Sequence, residues 1–129
     1  MEPMALDVLF EGATILTMVD NAPVVTGDVG VREGRIALVG QAPQGVTAKR
    51  RISCQGKLLM PGLVNAHAHT SMAVLRGYAD DYPLKTWLFE KVFPAEARLD
   101  ERAVLAGARL GFAEQLCTGT TSISDMYYH

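Results

Sequence analysis

The stretch LVNAHAHTSM, residues 63–72, sets His67 and His69 on either side of one alanine, directly after an apolar run. In an extended chain residues i and i+2 point to the same face, so the two imidazoles project together while Ala68 points away. Neutral imidazole nitrogens hold zinc or a similar divalent ion at about 2.0–2.1 Å. The same pair at a strand end can instead be hydrogen-bonded to backbone only, and the spacing alone leaves both readings open. Zinc, iron, nickel and manganese all suit two histidines. Asp80 and Asp81 are adjacent carboxylates able to polarise a metal-bound water, but such pairs in loops are turn formers or caps, and they receive no catalytic role. Arg76 is read as pairing with Asp80 or Asp81 to shape that loop. Trp87 lies on a helical stripe and is read first as core, second as a cover for a flat heterocycle or a thioether. Asp125 and His129 fall at and just past the end of a later strand, where side chains can face a site. His129 is also the last residue, for which an ordered role is not expected.

The texture of the chain changes near residue 57. Before it, DVLFEGATILTM, VVTGDVGVREGRIALVG and KRRISCQGKLLM read as short strands with turn residues between them. Glu33-Gly34 fits a hairpin turn, because glycine takes positive φ freely. A small antiparallel sheet is expected over residues 1–57. LLMPGLVNAHAH then forms a nearly continuous apolar run, as in a strand buried on both faces. The loop TSMAVLRGYADDY follows, and Pro83 opens a short helix with Leu84, Trp87, Leu88 and Lys91 on one side, which Pro94 is expected to close. Asp100 is the expected N-cap of a second helix reaching about Leu116, with Leu105, Ala108, Phe112 and Leu116 as its apolar stripe. CTGTTSISDM turns through Gly119 into another strand. Residues 58–129 thus read as one βα unit and the strand that begins the next. In a closed parallel barrel, the carboxyl ends of such strands are where catalytic groups collect.

Composition narrows the function classes. With 49% hydrophobic residues among 129, the chain has the apolar content of one ordinary folded domain. A net charge of −2 provides no basic field for nucleic acid or an anionic membrane. No apolar run approaches the roughly 18 residues of a membrane helix. Cys54 and Cys117 lack a C-x-x-C spacing, so neither a disulfide framework nor a cysteine zinc site is expected, and the cytoplasm is the expected compartment.

The stretch LLMPGLVNAHAHTSMAVLRGYADDYPLKTWL resembles the start of the metal-dependent barrel of the amidohydrolase superfamily, where a PG-hydrophobic-hydrophobic-x-x-H-x-H strand supplies the first two metal ligands. RGYADDYPLKTWL, FPAEARL and GTTSISDMY narrow the resemblance to 5′-methylthioadenosine/S-adenosylhomocysteine deaminases, which lie close to the triazine hydrolases. The resemblance implies an α/β fold: the N-terminal part of a (β/α)8 TIM-type barrel, preceded by a small antiparallel β-sandwich segment. It implies that His67 and His69 hold a divalent metal, with zinc expected, and that Glu96 binds the ribose hydroxyls of a purine nucleoside. An ionised carboxylate has two acceptor oxygens, which suits the two donors of a vicinal diol. Without the resemblance, Glu96 reads as a solvated residue just before the second helix.

The implied reaction is hydrolytic deamination at C6 of the adenine ring. A barrel of this kind takes about 250 residues, so the chain is read as an N-terminal portion, inactive alone and prone to self-association or to pairing with its missing C-terminal part. The remaining metal ligands and the proton-shuttling carboxylate would come from later strands, and no catalytic residue is assigned here. Two other functions stay open. One is hydrolysis of a triazine, a guanine-like base or another cyclic amidine, which would have no use for a diol-binding Glu96. The other is a non-catalytic half-barrel that binds a metal or a partner.

Overall fold

The computed structural model describes residues 5–127, so the reading placed on His129 lies outside the described residues. The chain divides into two compact units that meet between Pro61 and Gly62.

The first unit is a five-stranded sheet of β1 (Ala5–Ile15), β2 (Val25–Arg32), β3 (Arg35–Gly40), β4 (Thr47–Ser53) and β5 (Leu58–Leu59). The strand order is β3-β2-β1-β4, with β5 also on β1. The β2–β3 hairpin closes through Glu33 and Gly34, at φ of 52° and 72°, as expected for a two-residue turn with both central residues left-handed. The antiparallel expectation fails on the other side of β1, where β4 and β5 both run parallel to it. Apolar alternation is identical for either direction. Direction is decided instead by the 41–46 connection, which carries the chain from one edge of the sheet to the far side of β1. Leu58 and Leu59, read as the start of the long buried strand, pair with Thr14 and Ile15 instead.

A bulge interrupts β1 between Phe10 and Ala13. The Asp28 carboxylate spans it, accepting from Gly12 N–H at 2.9 Å and from Ala42 N–H at 2.9 Å, so one side chain ties the bulge to the crossing loop. Leu6, Leu9, Ala13, Ile15, Val29, Val46 and Cys54 form the buried interior of this unit.

In the second unit β6 (Leu63–Ala68) and β7 (Thr120–Asp125) pair in parallel, with all the helical segments between them in sequence. The loop read after the histidines contains a 3-10 turn over Thr70–Leu75. The following chain takes positive φ at Gly77, Ala79 and Asp81, so Asp81 is indeed a turn former. Pro94 does not close the next helix. The segment Thr86–Val92 is wound as a π-helix and continues into α1 (Phe93–Glu96). Phe93 N–H donates to the Leu88 carbonyl five residues back, and Pro94 falls in the first turn of α1, where a missing N–H is tolerated.

The helix α2 (Glu101–Cys117) starts as expected, with Asp100 Oδ1 accepting from Ala103 N–H at 2.8 Å. Its packing face is not the expected one. Leu105, Phe112 and Leu116 are exposed, and the buried residues are Gly107 and Gly111. A Cβ at Gly107 would overlap the Ser71 carbonyl oxygen, and one at Gly111 would stand 2.8 Å from that of Thr70. Backbone-to-backbone approach against the 3-10 turn therefore selects the glycine face. Strand β6 is likewise open, with Val64 at 71% exposure and only Ala68 buried, in contrast to the expected strand buried on both faces. Among the described residues, no helix is long and apolar enough to cross a membrane.

Candidate functional site

His67 is the penultimate residue of β6, and His69 stands one position past the strand's end. The two-residue period brings their rings edge to face, with centroids 4.9 Å apart, and their Nε2 atoms 3.1 Å apart. Two nitrogens each about 2.0–2.1 Å from one ion, at ligand angles of about 90–110°, would be separated by about 2.8–3.4 Å. The observed separation fits a shared divalent ion. It equally fits a single hydrogen bond between neutral rings of opposite tautomer. Among the described residues, no group of three or more His, Cys, Asp or Glu side chains could hold a metal.

A chain of hydrogen bonds fixes the loop that carries these imidazoles. Asn65 Oδ1 accepts from His67 N–H at 3.2 Å, while Asn65 Nδ2 donates to Gln115 Oε1 at 2.9 Å. Gln115 Nε2 reaches Thr70 Oγ1 at 3.4 Å, and Thr70 N–H donates to Asp125 Oδ2 at 3.2 Å. Asp125 Oδ1 accepts from Tyr127 N–H at 3.0 Å, and Met126 N–H donates to the Ala68 carbonyl at 2.8 Å. Burial alone would raise the Asp125 pKa. The hydrogen bonds from Thr70 and Tyr127, with the charge of His69, outweigh it and leave the carboxyl below its ordinary value.

His69 lines a cavity of about 320 Å³ together with Trp87 and Glu96. Met72, Leu88, Val92, Phe93, Met126 and Tyr127 complete the wall, which is apolar apart from a few convergent polar groups, as small-molecule pockets usually are. Trp87 is half-buried at this wall, so the reading that placed it first in the core gives way to the cavity. Glu96 is half-buried at the end of α1. The Tyr127 phenol is pushed up to about 12, first by burial and then by the negative charge of the Glu96 carboxylate.

Asp80 and Asp81 are exposed and take no part in this wall. Arg76 does not pair with them. Its guanidinium makes a bidentate bridge to Glu114 on α2, at 2.8 and 2.5 Å, because the 3-10 turn lies on the glycine face of that helix. Asn65, Gln115, Thr70 and Tyr127 are the positions that the sequence reading passed over. The signals were present for two of them: Asn65 shares the two-residue period of His67 and His69, and Gln115 lies one turn beyond Gly111 on the helix face that packs.

The chain is 41% identical over 128 residues to a 5-methylthioadenosine/S-adenosylhomocysteine deaminase of Caldicellulosiruptor saccharolyticus, covering 96% of this chain and 30% of that one. A crystal structure of an adenosine deaminase from Xanthomonas campestris with bound zinc superposes with a TM-score of 0.89 at 36% identity, over 98% of this chain and 30% of that one. A triazine hydrolase from Arthrobacter aurescens gives a TM-score of 0.81 at 22% identity over 93% of this chain and 28% of its own, a likeness of fold alone. The chain therefore spans about 30% of the length of these relatives. The model of the amidohydrolase family matches residues 58–129, the segment that holds His67, His69, Glu96 and the polar chain between the strands. That match covers more than half of the sequence, and the protein belongs to the amidohydrolase family.

Proposed function

We propose that this chain is part of a metal-dependent hydrolase that deaminates an adenosine-type nucleoside, with His67 and His69 as metal ligands and Glu96 as the group that binds the ribose diol. The observation that carries the reading is the convergence of the two Nε2 atoms to 3.1 Å, with His69 and Glu96 lining one cavity. Zinc is the expected ion, as in the adenosine deaminase relative. When bound, a divalent ion lowers the pKa of its water toward neutrality and so supplies a hydroxide nucleophile. In the overall reaction water adds at C6 of the purine, the bond from C6 to the exocyclic nitrogen breaks, and ammonia leaves.

The work of this chain's own residues is binding and orientation. Asn65 holds the backbone at His67, and Asp125, through Thr70, holds the backbone next to His69. Glu96 accepts the two ribose hydroxyls, and the indole of Trp87 with the surrounding apolar side chains covers the nucleoside and excludes water. Strands β6 and β7 are read as the first two of a (β/α)8 barrel. The other metal ligands and the proton shuttle would come from later strands of such a barrel, so the 129 residues by themselves are expected to bind metal weakly and to release no ammonia.

Equilibrium dialysis with zinc tests the metal site. His67→Ala and His69→Ala are each expected to lower zinc affinity on the order of 100-fold, because one of very few ligands is lost. Unchanged zinc binding in both variants would overturn the assignment. In the protein that includes the rest of the barrel, ammonia release from methylthioadenosine separates this reading from a hydrolase of triazines or free bases, which would turn over those substrates instead.

A further inference from the structure

The ladder between β6 and β7 loses its register between Asn65 and Ala68, the stretch that carries His67. The His67 N–H donates there to a side chain, Asn65 Oδ1, at 3.2 Å. On the far side of the pair, Thr70 follows His69 directly, and its carbonyl lies against Gly111 of α2. Gly107, Gly111 and Gln115 are spaced four apart, which puts them on one face of that helix. The two glycines bring α2 close. Gln115, the next residue along the same face, has the reach to join the strand to the turn: its Oε1 accepts from Asn65 Nδ2 at 2.9 Å, and its Nε2 donates to Thr70 Oγ1 at 3.4 Å.

We propose that Gln115 is a positioning residue for the histidine pair: one amide bridges Asn65, which holds the backbone at His67, to Thr70, which follows His69, and so sets the spacing of the two imidazoles from the helix behind them. This inference rests on the reading of His67 and His69 as metal ligands. The polarity of the relay is fixed from one end. A backbone N–H only donates, so the Asn65 oxygen faces His67 and the Asn65 NH2 faces α2. The Gln115 oxygen then faces Asn65, and its NH2 is left for the Thr70 hydroxyl. Flipping either amide alone would set like groups against each other between Asn65 and Gln115, so each side chain holds the other in place. Arg76 and Glu114 also tie the turn to α2, but at its other end and without reaching Asn65.

Two measurements on the 129-residue chain test the role, each made where circular dichroism shows the variant folded. Hydrogen exchange of the His67 N–H without metal reads the relay itself, and the zinc dissociation constant from equilibrium dialysis reads its effect on the pair. Gln115→Leu keeps the bulk of the side chain and removes both polar groups. It is expected to speed His67 exchange roughly tenfold and to weaken zinc roughly tenfold. Gln115→Glu keeps a partner at each end, since a carboxylate accepts both from Asn65 Nδ2 and from the Thr70 hydroxyl, and should stay within about threefold of the parent in both readings. Arg76→Ala cuts the other tie between turn and helix and should leave both within about twofold. Asn65→Ala cuts the relay from the strand side, so the comparison stands even where Gln115→Leu does not fold. Its zinc affinity should match that of Gln115→Leu, and the double variant should lose no more, because the two amides act as one unit.

Full additivity of Asn65→Ala and Gln115→Leu, or equal weakening of zinc by Gln115→Leu and Arg76→Ala, would overturn the positioning role. Faster His67 exchange in Gln115→Leu beside an unchanged zinc affinity would overturn it too, leaving Gln115 a tie between strand and helix, while sparing the histidines as ligands if His67→Ala and His69→Ala still weaken zinc. Zinc binding that His67→Ala and His69→Ala leave unchanged would overturn the reading of the histidines and the positioning role with it, even where His67 exchange responds to Gln115→Leu.

Discussion

The two units are similar in length and opposite in construction. Residues up to Pro61 bury Leu6, Leu9, Ala13, Ile15, Val29, Val46 and Cys54 inside a five-stranded sheet. Among the described residues from Gly62 onward the buried apolar side chains are Ala68 and Val92, joined by the polar Thr70 and Ser71, while Leu63, Val64, Leu84, Phe89 and Leu116 stay open. The first unit is organised by apolar burial. The second is organised by a chain of hydrogen bonds and by glycine-mediated contact, and it carries every candidate site residue. Apolar burial is the larger stabilising term per residue, so stability and chemistry sit in different halves of this chain.

The strongest way to break that contrast is a core truncation. Leu9→Ala in the first unit is expected to cost about 2–5 kcal/mol in denaturant unfolding followed by circular dichroism, since Leu9 is 1% exposed. Leu116→Ala, on the open stripe of α2, should stay within about 0.5 kcal/mol. Comparable losses for the two would mean that the second unit is also held by apolar burial.

A second, smaller effect tests the glycine contact. Gly111→Val would place side-chain atoms against Thr70 and should cost about 1–3 kcal/mol. Because Trp87 lies in the second unit, its fluorescence should report this loss, and zinc affinity should fall as Thr70 and the neighbouring His69 are displaced. An unperturbed Trp87 transition in that variant would show that α2 can back away from the 3-10 turn at no cost.

The smallest effects belong to the surface ion pairs, one in each unit. Lys49 beside Asp7 and Arg76 beside Glu114 hold the carboxyl of each pair below its ordinary value, with the side-chain hydrogen bond as the main cause. A depressed carboxyl pKa contributes stability that is present above the unfolded value and is lost as pH falls through the folded one. Lys49→Ala and Arg76→Ala should therefore differ slightly from the parent at neutral pH, and the difference should vanish in acid below the usual carboxylate range. Lys49 and Arg76 are exposed and their partners half-exposed, so high salt should erase it too. A difference that survives both acid and salt would assign these side chains a packing role instead.

Some of this architecture was legible in the residues. The Glu33-Gly34 turn needs two left-handed positions and has a glycine at one of them. Asp100 caps α2 through its own side chain, three residues from its partner. His67 and His69 meet because the strand period is two, which holds whatever the rest of the chain does. Each of these is a local property, set by backbone geometry within a few residues.

The rest depended on partners distant in sequence. Alternating apolar residues in β4 and β5 say nothing of direction, and only the path of the connecting chain made them parallel to β1. The leucines of α2 form a regular stripe, yet the helix turned its glycines inward because a backbone contact at Thr70 and Ser71 excludes any Cβ. Arg76 met Glu114, 38 residues away, rather than the acids four and five residues on. Glu96 and Tyr127 came to share a cavity wall although 31 positions separate them. By itself, then, the sequence determined the strand period, the turn, the cap and the pairing of the two histidines, since those follow from torsion angles. Tertiary structure alone decided strand direction, the buried helix face and the company of Glu96, because these follow from which surfaces can approach closely enough to exclude water.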